Sequence, residues 1–355
     1  MEKDFYKIGV SKNMLKRALI IALSSFTLVA CSSDKEIKKE SDKEAATPVE
    51  TGVETEEKNQ SPLTGEVQEK ESTARAVAVM VNNHPKARPQ SGLSKADIVY
   101  EVLAEGDVTR FLAIYQSQKP EEIGPVRSAR DYYVELAKGY DSLYVAHGYS
   151  PEAQEMLTSG FIDNLNGMKY DGTLFKRASF RKAPHNSYIS FEHIEEGAEQ
   201  NDFDMERPPE ALTFSDKGPE SGEGSQSVMI SYNNNPLFNV VYDFNEEEGK
   251  YERYSNGEQT IDYDSKDPVL VENLFIVEAS HTIVDDAGRR NIDFESGGNA
   301  YLIQEGKLRE VQWKNVDGRI LPFENNKPVS LRKGSTWINI IPSFEGLAGS
   351  VSYQE

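Results

Sequence analysis

A single cysteine at the end of a short apolar run leaves this chain no disulfide to fold around. Cys31 is the only cysteine in 355 residues, and it closes Leu28-Val29-Ala30-Cys31 after the apolar stretch 18–30, which Lys12, Lys16 and Arg17 precede. A basic start, a short apolar stretch and small residues before a cysteine have the order of a signal peptide ending in a lipobox. The stretch is shorter than the ~20 apolar residues that span a bilayer. Residues 1–31 therefore read as a leader, with Met1 or Met14 as the start. Cys31 reads as the lipidated, palmitate-bearing first residue of a mature chain on the extracytoplasmic face of the cell membrane. With that thiol consumed, no zinc-thiolate site or cysteine nucleophile remains, and stability has to come from burial.

A formal net charge of -20 argues against nucleic acid and against broad adsorption to anionic lipid. Membrane attachment is therefore expected through acyl chains. Residues 32–72 hold twelve acids, six bases and no aromatic residue, so they bury too little apolar surface to fold and read as a disordered acidic tether.

The expected fold class is an α/β N-terminal domain, 73–210, followed by a mostly β C-terminal domain, 225–355. The first opens with Ala76-Val77-Ala78-Val79-Met80-Val81, a continuous apolar run that suits a buried strand, broken by Asn82-Asn83-His84-Pro85. A hairpin is expected around Glu105-Gly106-Asp107. A helix is expected from near Ala129, with Ser128-Ala129-Arg130-Asp131 as its capping box. Residues 142–147 read as a strand, and Ser150-Pro151 as the N-cap and first position of a second helix. Pro, Glu, Gly and Ser dominate 204–224, which reads as a linker. Beyond it, short β-type runs alternate with turns such as Asn256-Gly257, Glu305-Gly306 and Asp317-Gly318.

Four stretches carry a resemblance: Val79-Met80-Val81-Asn82-Asn83-His84-Pro85, Ala87-Arg88-Pro89-Gln90-Ser91-Gly92-Leu93, Ala96-Asp97-Ile98-Val99-Tyr100-Glu101 and Gly124-Pro125-Val126-Arg127-Ser128-Ala129-Arg130. They resemble the YerB-type lipoproteins of Gram-positive bacteria, a family of two domains of unknown function. The likeness runs through Gly334-Ser335-Thr336-Trp337-Ile338 and departs from the family's Gly-Ser-Gly pattern at Gly297-Gly298-Asn299. It implies a location and an architecture, and supplies no reaction.

Chemistry is read from the residues. Arg127 and Arg130 flank Ser128 at an expected helix start, where guanidinium forks and free backbone N–H groups would hold an anion. The alternative is that these arginines pair with Glu101, Glu105 or Asp131 and knit the surface. Arg88 lies in a proline-flanked loop, and Lys176, Arg177, Arg181, Lys182 and His185 fall in a stretch, 172–190, without a single acid. That stretch is either a binding loop or a solvated one. His147 precedes Gly148 at the end of an expected strand, where α/β folds place ligands, although a lone histidine is more often structural. No Gly-x-Ser-x-Gly elbow accompanies it. Neither Asp285-Asp286-Ala287-Gly288 nor Asp262-Tyr263-Asp264 has calcium-loop spacing, and the five histidines show no zinc pattern, so no cofactor is expected.

The order of Arg88, Asp97, Arg127 and Arg130 also looks loosely like the LytR-CpsA-Psr glycopolymer transferases. That likeness implies arginines on lipid phosphates and Asp97 on a divalent ion. Two expectations follow: a lipid-anchored module that binds an anionic cell-wall ligand or an envelope protein, or a metal-assisted phosphoryl or glycopolymer transferase or hydrolase of wall polymers. A purely structural scaffold is the third.

Overall fold

The two halves of this sequence share one sheet. In the computed structural model, which describes residues 59–233 and 235–355, the N-terminal half supplies β1 (Val77–Asn82), β2 (Ile98–Glu105), β3 (Val108–Tyr115), α1 (Asp131–Lys138), β4 (Leu143–Ala146), α2 (Pro151–Thr158), β5 (Asn164–Asn166), β6 (Phe175–Arg177), β7 (Ser187–Ser190) and α3 (Phe191–Gln200). The C-terminal half adds β8 (Ser227–Ile230), β9 (Val240–Asn245), β10 (Lys250–Ser255), β11 (Asn273–Ala279), β12 (Gly298–Gln304), β13 (Lys307–Val316), β14 (Arg319–Glu324), β15 (Thr336–Pro342) and β16 (Val351–Gln354). Strands dominate both halves.

The twelve-stranded sheet starts from Lys327–Pro328 and runs β14-β13-β12-β11-β15-β2-β3-β1-β4-β5 along its main path, with Glu223–Gly224 pairing β13 beside it. β15, close to the C-terminus, lies between β11 and β2 and is parallel to both, with Ile338 opposite Phe275 on one side and Tyr100 on the other. This position explains the unbroken burial of Thr-Trp-Ile-Asn-Ile-Ile-Pro, since a strand paired on both edges and covered on both faces has no exposed position for a polar residue. Glu56–Glu355 accordingly forms one compact unit. The stretch expected as a linker runs along this body: Leu212 N–H donates to the Pro62 carbonyl, and Phe214–Ser215 pair with Leu331–Arg332.

β1 is buried along its whole length, pairing antiparallel with β3 and parallel with β4. β4 in turn is parallel to β5, so β1, β4 and β5 deliver their C-terminal ends, Asn82, Ala146 and Asn166, to the same edge of the sheet. Ser150 caps α2 as expected, accepting from Ala153 N–H at 3.2 Å, with Pro151 at the first position.

Two expectations are corrected. The tether does not extend to residue 72, because 61–65 are buried and Leu63 is wholly so; Ser61 Oγ donates to Gln116 Oε1 and Gly334 N–H to the Thr64 carbonyl. One leucine and one turn suffice to dock this otherwise polar stretch. The capping box at Ser128 does not form either. Residues 126–129 are extended, bridging Val81 and Tyr149, so α1 begins at Asp131 with Arg130 as its N-cap and no side-chain cap. Residues 1–58, with the leader, Cys31 and most of the tether, lie outside the described residues.

Candidate functional site

The C-terminal ends of β1, β4 and β5 and the loop 178–187 converge on one basic patch. Where parallel strands end side by side, loop backbone and side chains meet at a crevice, which is the usual ligand position in such sheets. Extended 126–129 fills the gap beyond β1: Arg127 N–H donates to the Met80 carbonyl, and Arg127 in turn accepts from His147 N–H. Arg127 is thereby fixed between the ends of β1 and β4.

Three histidines surround it. Asn82 Oδ1 accepts from His84 N–H, so its amide nitrogen donates to His185 Nδ1 at 2.9 Å. His84 stacks on His185 at 4.6 Å, and its Nδ1 accepts from Lys86 N–H. Both rings therefore carry their proton on Nε2. His147 has the opposite tautomer. Its Nε2 lies 2.9 Å from Arg177, which can only donate, so its Nδ1–H donates to Ser187 Oγ at 2.7 Å. Ser187 thus faces a donor and has no base in His147.

The electrostatics follow from crowded cations. Burial, then Lys86, Arg127 and Arg88, lower His84 below its ordinary value; burial, then His84 and Arg127, do the same to His185. His147 is lowered by burial and then Arg177. All three are neutral at pH 7. Arg127 is half-buried, and burial followed by Arg110 pushes it down to about 10, so it remains charged. Among the described residues its guanidinium makes no hydrogen bond or ion pair.

The other expected residues divide. Arg177 is held by Asp171 at 2.8 Å and buttresses His147. Arg181 braces the loop by donating to the Lys86 carbonyl at 3.1 Å and to the Pro89 carbonyl. Ser128 Oγ donates to the His147 carbonyl, and Gly148, at φ 95°, passes so close that a Cβ would lie 2.7 Å from that oxygen. Arg130 is spent on Glu105, which also takes Arg110 in a forked pair at 2.6 and 2.7 Å; of the two readings of Arg130, surface knitting is the one the geometry realises. Asp97 lies at the opposite end of the β1-β3-β2 ladder. Its carboxylate accepts from Ser117 Oγ, Ser117 N–H and Gln116 N–H, and burial pushes it up to about 6 against those bonds. Arg88 points away into the seam between the halves, donating from Nε to Asn83 Oδ1 and from Nη1 to the Leu237 carbonyl. The sequence reading missed Asn82, His84, Asp171 and Ser187 as site residues; Asn82-Asn83-His84-Pro85 reads there as a strand breaker and as part of the family resemblance, with no ligand role.

A roomier groove of about 760 Å³ opens in the C-terminal half, but Glu278, Glu310, Glu324 and Glu345 line it. It offers none of the cationic donors of the patch. Among the described residues no group of His, Cys, Asp and Glu is arranged to hold a metal ion, and no helix is long and apolar enough to cross a membrane.

Comparison with known proteins decides the family. Residues 63–204 match the N-terminal domain, and 228–338 the C-terminal domain, of a protein of unknown function, DUF3048. A relative from Bacillus subtilis (strain 168), named "Putative lipoprotein YerB", is 49% identical over 303 residues, 85% of this chain and 91% of its own. The chain belongs to the YerB family. The crystal structure of YerB protein from Bacillus subtilis superposes with a TM-score of 0.78 at 48% identity, covering 83% of this chain and 99% of that one. The matched N-terminal domain begins at residue 63, in the segment that the structure buries.

Proposed function

We propose that this YerB-type chain is a lipoprotein held through Cys31 on the extracytoplasmic face of the cell membrane, and that it binds an anionic cell-envelope ligand at the patch around Arg127. One observation carries the reading: a half-buried guanidinium without hydrogen bond or ion pair, set among three neutral histidines. An unpaired buried cation is costly, and its retention is explained when an anion completes it. His84 and His185 have Nε2–H groups that their Nδ1 bonds leave available as donors. Together with Arg127 they suit the several acceptor oxygens of a phosphoryl or carboxylate group. The role is binding and carries no reaction step: His147 is committed as a donor to Ser187, and Asp97 stands too far from the patch to place a metal there.

The test uses the Glu56–Glu355 unit and inorganic phosphate and pyrophosphate as probes, followed by titration calorimetry. Saturable binding is expected, weakened at least ~10-fold by Arg127→Gln, since one charge-assisted contact is worth about 1.5–3 kcal/mol. Binding that survives both Arg127→Gln and His185→Gln, or no binding by a folded chain, would overturn the reading.

A further inference from the structure

A second cavity, lined by none of the histidines, lies in the seam between the halves. It measures about 110 Å³, and its walls include Arg88 and Gln90 from the N-terminal half and Arg253, Ser255 and Thr260 from the C-terminal half, with Glu258 at its rim. The Asn256-Gly257 turn, with φ of 53° and 76°, folds the chain back so that Glu258 pairs across from Ser255. The walls are rigid. Arg253 is 1% exposed, lies over the edge-to-face pair of Phe111 and Trp337 rings at 5.2 and 4.8 Å, and donates to Thr260 Oγ1 and Glu101 Oε2. Ser255 is 4% exposed.

Three lining side chains hold polar atoms that are buried and unpartnered: Arg88 Nη2, Arg253 Nε and Ser255 Oγ. All three can donate, and two carry charge. A buried donor without an acceptor costs about 1–3 kcal/mol, so a cluster of three marks a place where an acceptor group belongs. Glu101 neutralises Arg253 at 2.8 Å, which leaves Arg88 as the one cation of the lining without an ion-pair partner. Glu101 and Glu258 both act on Arg88, but Glu101 is already paired with Arg253 and Glu258 is exposed at the rim, where solvent screens it, so the buried lining carries one positive charge.

We propose that this seam cavity is a carboxylate-binding site, with Arg88 Nη2 and Ser255 Oγ as its principal donors. A monoanion matches the charge. The volume matches about three to four water-sized groups at ~30 Å³ each, the bulk of a carboxylate with one or two further heavy atoms. A phosphate dianion exceeds the charge available. A free small acid fits entirely inside, whereas a carboxyl-terminated chain would leave past the Glu258 rim.

The experiment titrates acetate and N-acetylalanine into the Glu56–Glu355 unit, with acetamide as the uncharged control. Acetate is expected to bind saturably, acetamide not. All titrations are made in the Arg127→Gln background, so that the histidine patch takes no acetate; there Ser255→Ala and Arg88→Gln should each weaken acetate at least ten-fold, and a Glu69→Gln substitution, exposed and outside both sites, should leave it unchanged. Ser255→Ala removes a buried hydroxyl that bonds nothing, so a melting temperature that is unaltered or raised shows that its effect on binding is local. Binding of N-acetylalanine as well would identify a chain terminus as the source; binding of acetate alone would identify a free acid. Absence of carboxylate binding by the folded protein, equal binding of acetamide, or acetate binding that survives both seam variants would each overturn the proposal.

Discussion

Glu101 and Arg253, one from each half of the chain, meet at 2.8 Å with both side chains removed from solvent. Around them Trp337 Nε1, Asn83 Nδ2 and Thr109 Oγ1 donate to the same carboxylate, and Phe111 and Trp337 cover the guanidinium. Leaving one member of such a pair buried alone costs about 3–5 kcal/mol, whereas replacing both with apolar groups costs far less. Arg253→Met is expected to destabilise the unit by that amount in urea unfolding, and adding Glu101→Leu to recover most of it. A double variant no better than the single would show that the pair fixes the geometry of the seam as well as its charge.

The docked segment before β1 should matter to stability. Leu63 is wholly buried, and truncating such a leucine costs about 2–5 kcal/mol. Leu63→Ala should lower the urea midpoint without changing the slope, while a substitution at exposed Glu69 should do neither.

Anion affinity at the patch should rise on acidification. His84 and His185 are held below the ordinary histidine value, and a bound anion would raise them. Binding is then accompanied by proton uptake as pH falls through and below the ordinary histidine range. Phosphate titrations from pH 7.5 to 5 should show this, and His84→Gln/His185→Gln should flatten the profile.

His281 should make the fold acid-sensitive. Its Nδ1–H donates to the Ala279 carbonyl at 2.9 Å, its Nε2 is buried without a partner, and burial, with Arg290 behind it, lowers it to about 4. The folded value is below the unfolded one, so the stability this group contributes is complete above the unfolded value and is lost as pH falls toward 4. The loss is at most about 3 kcal/mol. The stability difference between the parent and His281→Phe should shift by that order between pH 7 and 4.

The sequence was most readable where a residue's surroundings are local. Ser150-Pro151 announced the start of α2, and the apolar runs near Val228, Tyr251 and Trp337 became β8, β10 and β15. Arg127, His147, Arg177, Arg181 and His185 do meet, because the ends of β1 and β4 and one loop bring them together. What escaped depends on distant partners. Ser128 had the spacing of a cap, but Arg127 and Ala129 were already hydrogen-bonded to neighbouring strands, which kept the backbone extended. His84 looked like part of a turn until Asn82 and His185, 103 residues apart, fixed the stack. Glu105 was among the partners the sequence left open for Arg130, and only the folded hairpin selects it over Glu101 and Asp131.

The position of β15 bears on the order of assembly. Until residues 336–342 arrive, β2 presents an apolar, unpaired edge along the N-terminal half, and β11 does the same along the C-terminal half. A nascent or truncated chain that stops short of Thr336 is therefore two sticky sheets without their common strand. Its arrival closes both at once, so this one strand acts as a built-in checkpoint: products that stop before it expose β edges that invite aggregation and proteolysis.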